Sequence, residues 1–200
     1  MTIPKGLERM AGWGEGLAAV VLVVIAAWHT SAVAEAFPIE RLDEGGYVIM
    51  LRHARAPGTG DPNDFRLGDC TTQRNLDAEG RAQAKALGER LRRAGIASAE
   101  VYSSQWCRCL ETAALLGLGP VAELPALNSF YQRPDQRQSN LDALRAFLAG
   151  LPADGPLVVL VTHQVTIAAI TGHAAASGEA VILEADGGAA PPVVGTIDAG

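Results

Sequence analysis

Between residues 47 and 197, short continuous apolar runs alternate with stretches of helical period. Tyr47-Val-Ile-Met-Leu51 follows Gly45-Gly46 and predicts a parallel strand buried on both faces. Ala78 to Ala94 sets Leu87 and Leu91 on one face and arginines on the other, which predicts an amphipathic helix with Asp77 as N-cap and Gly95 as stop. Val101 to Ser103 reads as a second strand and Gln105 to Leu116 as a second helix, ended by Gly117. Val121 to Leu127 predicts a third strand, Leu141 to Leu148 a helix, and Leu157 to Thr162 a very apolar central strand. After His163 a short helix reaches Ile170, then come two edge strands, Ala180 to Glu184 and Val193 to Ile197, around Gly187-Gly188. This order predicts an α/β fold of three layers, a mostly parallel sheet with helices on both faces. No internal repeat or low-complexity linker interrupts it.

Residues 1–34 carry a different pattern. Lys5 and Arg9 precede the uninterrupted apolar run Leu17 to Ala27, and Ala32-Val33-Ala34 stands at the spacing of a signal-peptidase site. The expectation is a signal peptide over 1–34, with Ala36 as a second cut, and a single domain over 35–200 that is periplasmic or secreted. The alternative is an uncleaved anchor, since weaker hydrophobicity continues from Trp28 to Ala34. His29, Thr30 and Ser31 interrupt it, however, and the strong core falls short of the roughly 20 residues a span needs.

Composition narrows the function classes. The 200 residues are 48% hydrophobic with a formal net charge of -6, and no basic run stands out, so nucleic acid is not an expected partner. No histidine has a supporting ligand at helical or C-x-x-C spacing, so no metal is expected. Three cysteines in an exported chain would meet an oxidising compartment, where Cys70 could pair with Cys107 or Cys109, the alternative being three buried or free thiols. Cys107 and Cys109 lie two apart on a helix and point to different sides.

The candidate chemistry lies at strand ends. Arg52-His53 follows the first strand, Thr162-His163 the central one, and Arg108 opens the helix after the second. Ligands of open α/β sheets bind beyond the carboxyl ends of the strands, so these three ends can gather two arginines and two histidines around a phosphate dianion. Between His53 and the first helix, Ala56 to Thr72 holds three glycines, two prolines and four aspartates or asparagines, a candidate active-site loop. Glu79 and Glu111 read as solvated helix faces or caps. Trp106 and Tyr131 read as packing or rim residues, with Trp106 close enough to line the mouth.

With these residues placed, the chain resembles the histidine phosphatase superfamily, of phosphoglycerate mutase-like fold, over about Tyr47 to Thr171. Leu51-Arg52-His53 resembles the motif whose histidine is the nucleophile. Arg74-Asn75-Leu76-Asp77-Ala78-Glu79-Gly80-Arg81-Ala82-Gln83-Ala84 resembles the segment that opens the first helix. Ser103-Ser104, Arg108 and Thr112-Ala113 resemble the motif whose arginine grips phosphate, and Val161-Thr162-His163 the one whose histidine completes the pocket. Ala54 replaces the glycine most members have, Pro125 to Phe130 lacks the glutamate of mutase-like members, and Gln164 replaces the acid of the phytase branch.

A small exported branch, similar to periplasmic heptose phosphate phosphatases and phosphohistidine phosphatases, takes its acid from the loop after the nucleophile. The resemblance therefore offers Asp61, Asp64 and Asp69, with Asp69, nearest Arg74, as first choice. It implies a hydrolase in which His53 forms a phosphohistidine while Arg52, Arg108 and protonated His163 hold the phosphoryl oxygens. Arg74 is assigned to phosphate, with a helix-start ion pair as its alternative. The loop acid would protonate the leaving oxygen, with no metal or other cofactor. The implied partner is a small anionic phosphorylated substrate or a phosphoprotein. A noncatalytic phosphate-binding or scaffold protein on the same fold is the alternative.

Overall fold

The computed structural model describes residues 37–198, so the expected signal over 1–34 lies outside the described residues. Six strands, β1 Tyr47–Arg52, β2 Glu100–Ser103, β3 Val121–Glu123, β4 Val158–Thr162, β5 Ala180–Glu184 and β6 Val193–Ile197, form one sheet in the order β3-β2-β4-β1-β5-β6. β3, β2, β4 and β1 run parallel, and β5 and β6 are antiparallel additions beyond β1. Four helices cover it: α1 Ala78–Arg93, α2 Cys107–Leu116, α3 Arg137–Ala149 and α4 Gln164–Thr171.

The layers follow from the period of two in the strands. Ile49 and Leu51 of β1 and Val159 and Val161 of β4 face one way, onto Leu87 and Leu91 of α1 and Ala113 and Leu116 of α2. Val48, Met50, Val158 and Leu160 face the other way, onto Leu144 and Leu148 of α3 and Ile167 of α4. Each fully buried leucine or isoleucine contributes about 1.5–3 kcal/mol, which makes both faces strong determinants of register. The three-layer α/β fold expected from the sequence is the one observed.

Several element bounds differ, each for a local reason. α1 starts as expected, with the Asp77 carboxylate accepting from the Gly80 N–H at 2.7 Å, and ends at Arg93 with Ala94 as its cap, one residue before the expected end. α2 begins at Cys107 rather than Gln105, because the Ser104 N–H still bonds Val161 O at 2.9 Å and the chain stays extended through Trp106. β3 stops at Glu123, since Pro125 cannot donate to a ladder and instead opens a 3-10 turn over Pro125–Leu127. α3 starts four residues before Leu141, its first turn being polar and so without an apolar signal. β5 is not an edge strand: it lies between β1 and β6 and is buried over Ala180 to Leu183. Among the described residues no helix is long and apolar enough to cross a membrane.

Candidate active site

Parallel pairing brings the two histidines together. β1 and β4 are in register with Arg52 opposite Thr162, and the His53 N–H continues the ladder onto Thr162 O at 3.0 Å. His53 and His163 are each the next residue after those partners, and their ring centroids lie 5.5 Å apart. β2 pairs with the other side of β4, which carries the segment from Ser104 to Arg108 to the same edge.

His53 is 2% exposed, and its Nδ1 lies 2.8 Å from Ala54 O, a carbonyl that can only accept. That contact assigns the hydrogen to Nδ1 and leaves the Nε2 lone pair toward the cleft, where Arg108 Nε donates to it at 3.2 Å. Burial, then the Arg108 charge, push the His53 pKa down to about 3. The adjoining backbone is fixed by Thr112, whose hydroxyl accepts from the Ala54 N–H at 3.0 Å and donates to Arg108 O at 2.7 Å. The Ala54 methyl, where a glycine was expected, packs with Ala56, Leu76 and Ala84.

His163 is held at Nε2, 2.9 Å from Ser104 Oγ and 3.5 Å from Cys109 Sγ, and its Nδ1 has no hydrogen-bond partner among the described residues. Burial, followed by the proximity of His53 and Arg108, pushes its pKa well below that of an ordinary histidine. A desolvated ring among arginines resists a further positive charge, so the cleft without an anion disfavours the protonated His163 that the sequence reading assigns to phosphate binding. Asn128, within the stretch that lacks the mutase glutamate, anchors this side. Its Oδ1 accepts from Ser104 Oγ at 3.2 Å and from the Gln105 N–H at 2.9 Å. Sequence reading assigned Asn128 no role, since a buried amide that braces a loop has no motif of its own.

The loop aspartates separate clearly. Asp61 reaches the cleft: Arg108 Nη1 bonds its two oxygens at 2.9 and 3.1 Å, Trp106 Nε1 donates at 3.0 Å and the Arg74 N–H at 2.9 Å. Burial alone would raise the Asp61 carboxyl, but the donors from Arg74, Arg108 and Trp106 outweigh it and hold the pKa below the usual carboxylate value. Asp69, the expected acid, lies away from the cleft. Its carboxylate caps the 3-10 turn Cys70–Thr72, accepting from the Thr71 N–H at 3.2 Å, and pairs with Arg66 at 2.9 Å. Proximity to Arg74 in sequence misled because the bridge between Arg66 and Asp69 turns that part of the loop outward. Asp64 is exposed and does not line the cleft.

Arg52 and Arg74 complete the cationic wall. Arg52 Nη1 donates to Ala175 O at 2.9 Å, whereas its buried Nε has no protein partner, a donor suited to an anion. Arg74 lines the cleft but also shapes the loop, donating through Nε to Gly60 O at 2.9 Å and through Nη1 to Ala56 O. A Cys70–Cys107 disulfide ties this loop to the residue before Arg108, and Cys109 is a free buried thiol whose pKa burial pushes up to about 12. Gln132 clamps the loop from outside, its amide accepting from the Asp61 N–H at 2.8 Å and donating to Asp61 O at 3.0 Å. The resulting cleft has a volume of about 180 Å³. No group of three or more metal-ligating side chains occurs among the described residues.

Residues 48–131 match the family model of the histidine phosphatase superfamily (branch 1), a span that contains His53, Asp61 and Arg108. Solved structures show the same fold. The protein histidine phosphatase SixA in complex with tungstate is 15% identical, with a TM-score of 0.57 over 76% of this chain and 97% of that one. A SixA-type protein of Agrobacterium tumefaciens is 18% identical, with a TM-score of 0.52 over 78% of this chain and 99% of that one. A mycobacterial glucosyl-3-phosphoglycerate phosphatase with inorganic phosphate is 17% identical, with a TM-score of 0.50 over 74% of this chain and 94% of that one. No curated protein sequence matches the chain. The chain resembles the histidine phosphatase superfamily and has its three-layer fold.

Proposed function

We propose that the protein is an exported, metal-independent phosphatase that hydrolyses a phosphomonoester through a phosphohistidine on His53. The observation that carries this reading is the His53 ring itself. It is buried and neutral, with its hydrogen directed to Ala54 O and its Nε2 lone pair turned to the cleft, where it accepts from Arg108 Nε. A neutral imidazole so oriented is a nucleophile at any physiological pH. The match to the superfamily model and the fold shared with phosphatases support it.

In this scheme the phosphoryl group meets Arg52 Nε, Arg108 and the free Nδ1 of His163, and His53 Nε2 attacks phosphorus as the ester oxygen departs. Asp61, not Asp69, is the group that protonates the leaving oxygen and then takes a proton from the attacking water. A dianion bound beside Asp61 offsets the arginine field that holds this carboxyl down, so binding itself raises its pKa toward the acid form. The same negative charge favours protonation of His163. Charge stabilisation comes from side chains, so no metal enters the scheme. Export rests on the character of residues 1–34, and a disulfide beside the cleft supports it, since such a bond persists in oxidising compartments.

The test is rapid quenching with a labelled aryl phosphate. Acid-labile, base-stable label on His53 that is lost with turnover in His53→Ala, and turnover that survives chelation, are the expected results. Phosphate binding with neither label nor turnover in the native chain would indicate the noncatalytic alternative.

A further inference from the structure

Arg133 lines the same cleft as His53 and Arg108 but has no role in the scheme above. Its guanidinium lies over the Phe65 ring at 5.1 Å, and it has neither a carboxylate nor a side-chain hydrogen bond among the described residues. Other arginines around the site are committed: Arg55 to Asp77 and Glu79, Arg66 to Asp69, Arg81 to Glu111. Contact with Phe65 uses none of the guanidinium N–H groups, the donors that grip carboxylates and phosphates, and none of them has a partner among the described residues. The position is also braced. Phe65 packs on Trp106 at 5.5 Å, and Trp106 in turn on His163 at 5.3 Å while donating to Asp61. Arg133 therefore ends a row of rings that begins at the phosphate-binding centre.

Charge points the same way. Arg52, Arg74, Arg108 and Arg133 line the cleft against one carboxylate, Asp61, in a chain whose net charge is -6. The mean field disfavours anions, so four arginines gathered here form a local attraction. With Asp61 ionised, a phosphate dianion offsets two of the three surplus positive charges, and Arg133 is the arginine that the scheme leaves unmatched. At about 180 Å³ the cleft is smaller than a typical pocket for a drug-sized ligand, so the remainder of a substrate must extend along its mouth.

We infer that Arg133 is a specificity residue for a second anionic group, so that the preferred substrate is a phosphomonoester carrying a carboxylate or another phosphate several bonds from the reacting phosphorus. This inference rests on the phosphatase reading and names its substrate class. The binding of the second group places the leaving oxygen without entering the chemistry, so it acts on kcat/KM through differential binding.

The experiment uses alkyl phosphates ending in a carboxylate, with three to six carbons, each paired with its primary amide of nearly equal size. The native protein should prefer the carboxylate at one or more lengths by about tenfold, the lower range for hydrogen bonds to a charged partner. Arg133→Met, which keeps an unbranched apolar stem over Phe65, should remove that preference and leave the amides unaffected. Arg137→Met, which removes an arginine stacked on Phe130 outside the cleft, should keep it. No preference at any length, or a preference that survives Arg133→Met, overturns the inference. If no ester is hydrolysed the phosphatase reading fails instead. Calorimetric binding of the matching carboxyalkyl and carbamoylalkyl phosphonates to native protein and Arg133→Met then decides the subsite by the same criterion.

Discussion

Both oxygens of Asp61 meet Nη1 of Arg108, at 2.9 and 3.1 Å, in a pair whose side chains are 2% and 4% exposed. The same guanidinium touches Nε2 of His53 through its Nε. One arginine thus joins His53 to the loop carboxylate. A change in the charge of either partner is therefore felt by the other.

That relationship separates the aspartates functionally. Asp61→Asn should lower kcat/KM for alkyl phosphates by about two or more orders of magnitude while sparing formation of the phosphoenzyme from an activated aryl phosphate. Asp69→Asn should leave both near native, because that side chain caps a turn, accepts from the Thr71 hydroxyl and pairs with Arg66, all away from the cleft. Equal losses on the two substrates in Asp61→Asn would make Asp61 a binding residue instead of an acid.

Stability should fall on mild acidification. The His53 pKa is about 3 in the folded protein and about 6.5 when unfolded, so between those values the unfolded chain binds a proton that the native one does not. Stability from this neutral histidine is complete above about pH 6.5 and declines below it, by about 2 kcal/mol from pH 7 to 5. His163 adds to the loss in the same direction, while Asp61, whose pKa is lowered, adds to it only as the pH falls through the ordinary carboxylate value of about 4. Urea unfolding at pH 7 and 5 should show a smaller drop for His53→Gln than for the native chain. Equal drops would refute the assignment.

The cysteines give a counting experiment. Alkylation of the native protein should label no thiol, since Cys109 is buried and its pKa is raised to about 12. Denaturation should expose one thiol, and reduction three. Cys70→Ser should cost about 2–4 kcal/mol and reduce turnover, because the bridge closes 37 residues of chain and fixes the Asp61 loop against α2.

Two glycines allow close approaches with different consequences. A Cβ on Gly80 would lie 2.0 Å from Arg55 O, and one on Gly88 2.1 Å from Leu116 O. Gly80→Ala and Gly88→Ala should each destabilise by about 1–3 kcal/mol, the range for overpacking. Only Gly80→Ala should also impair turnover at a temperature where both variants are folded, because it displaces the backbone that follows His53. Thermal melts paired with steady-state rates would show this split, and equal activity in the two variants would contradict it.

The elements that the sequence determined by itself are those whose signal is local. Five residues of continuous apolar character sufficed for β1, as did the leucine spacing and the Asp77 cap for α1, because burial and capping act over a few neighbours. His53, His163, Arg52 and Arg108 were legible because each follows such an element at a fixed distance, and parallel pairing of β1, β4 and β2 then brings them together. Tertiary structure decided what depends on contacts distant along the chain. Asp61 rather than Asp69 faces the cleft because Arg74, Trp106, Arg108 and Gln132, spread over residues 74 to 132, converge on it. Likewise β5 is interior because β6 folds back on it, and the His163 pKa is lowered because the fold buries the ring and sets His53 and arginines beside it. Loop conformation, strand order and pKa are sums over the whole fold, whereas propensity and period belong to a window of the chain.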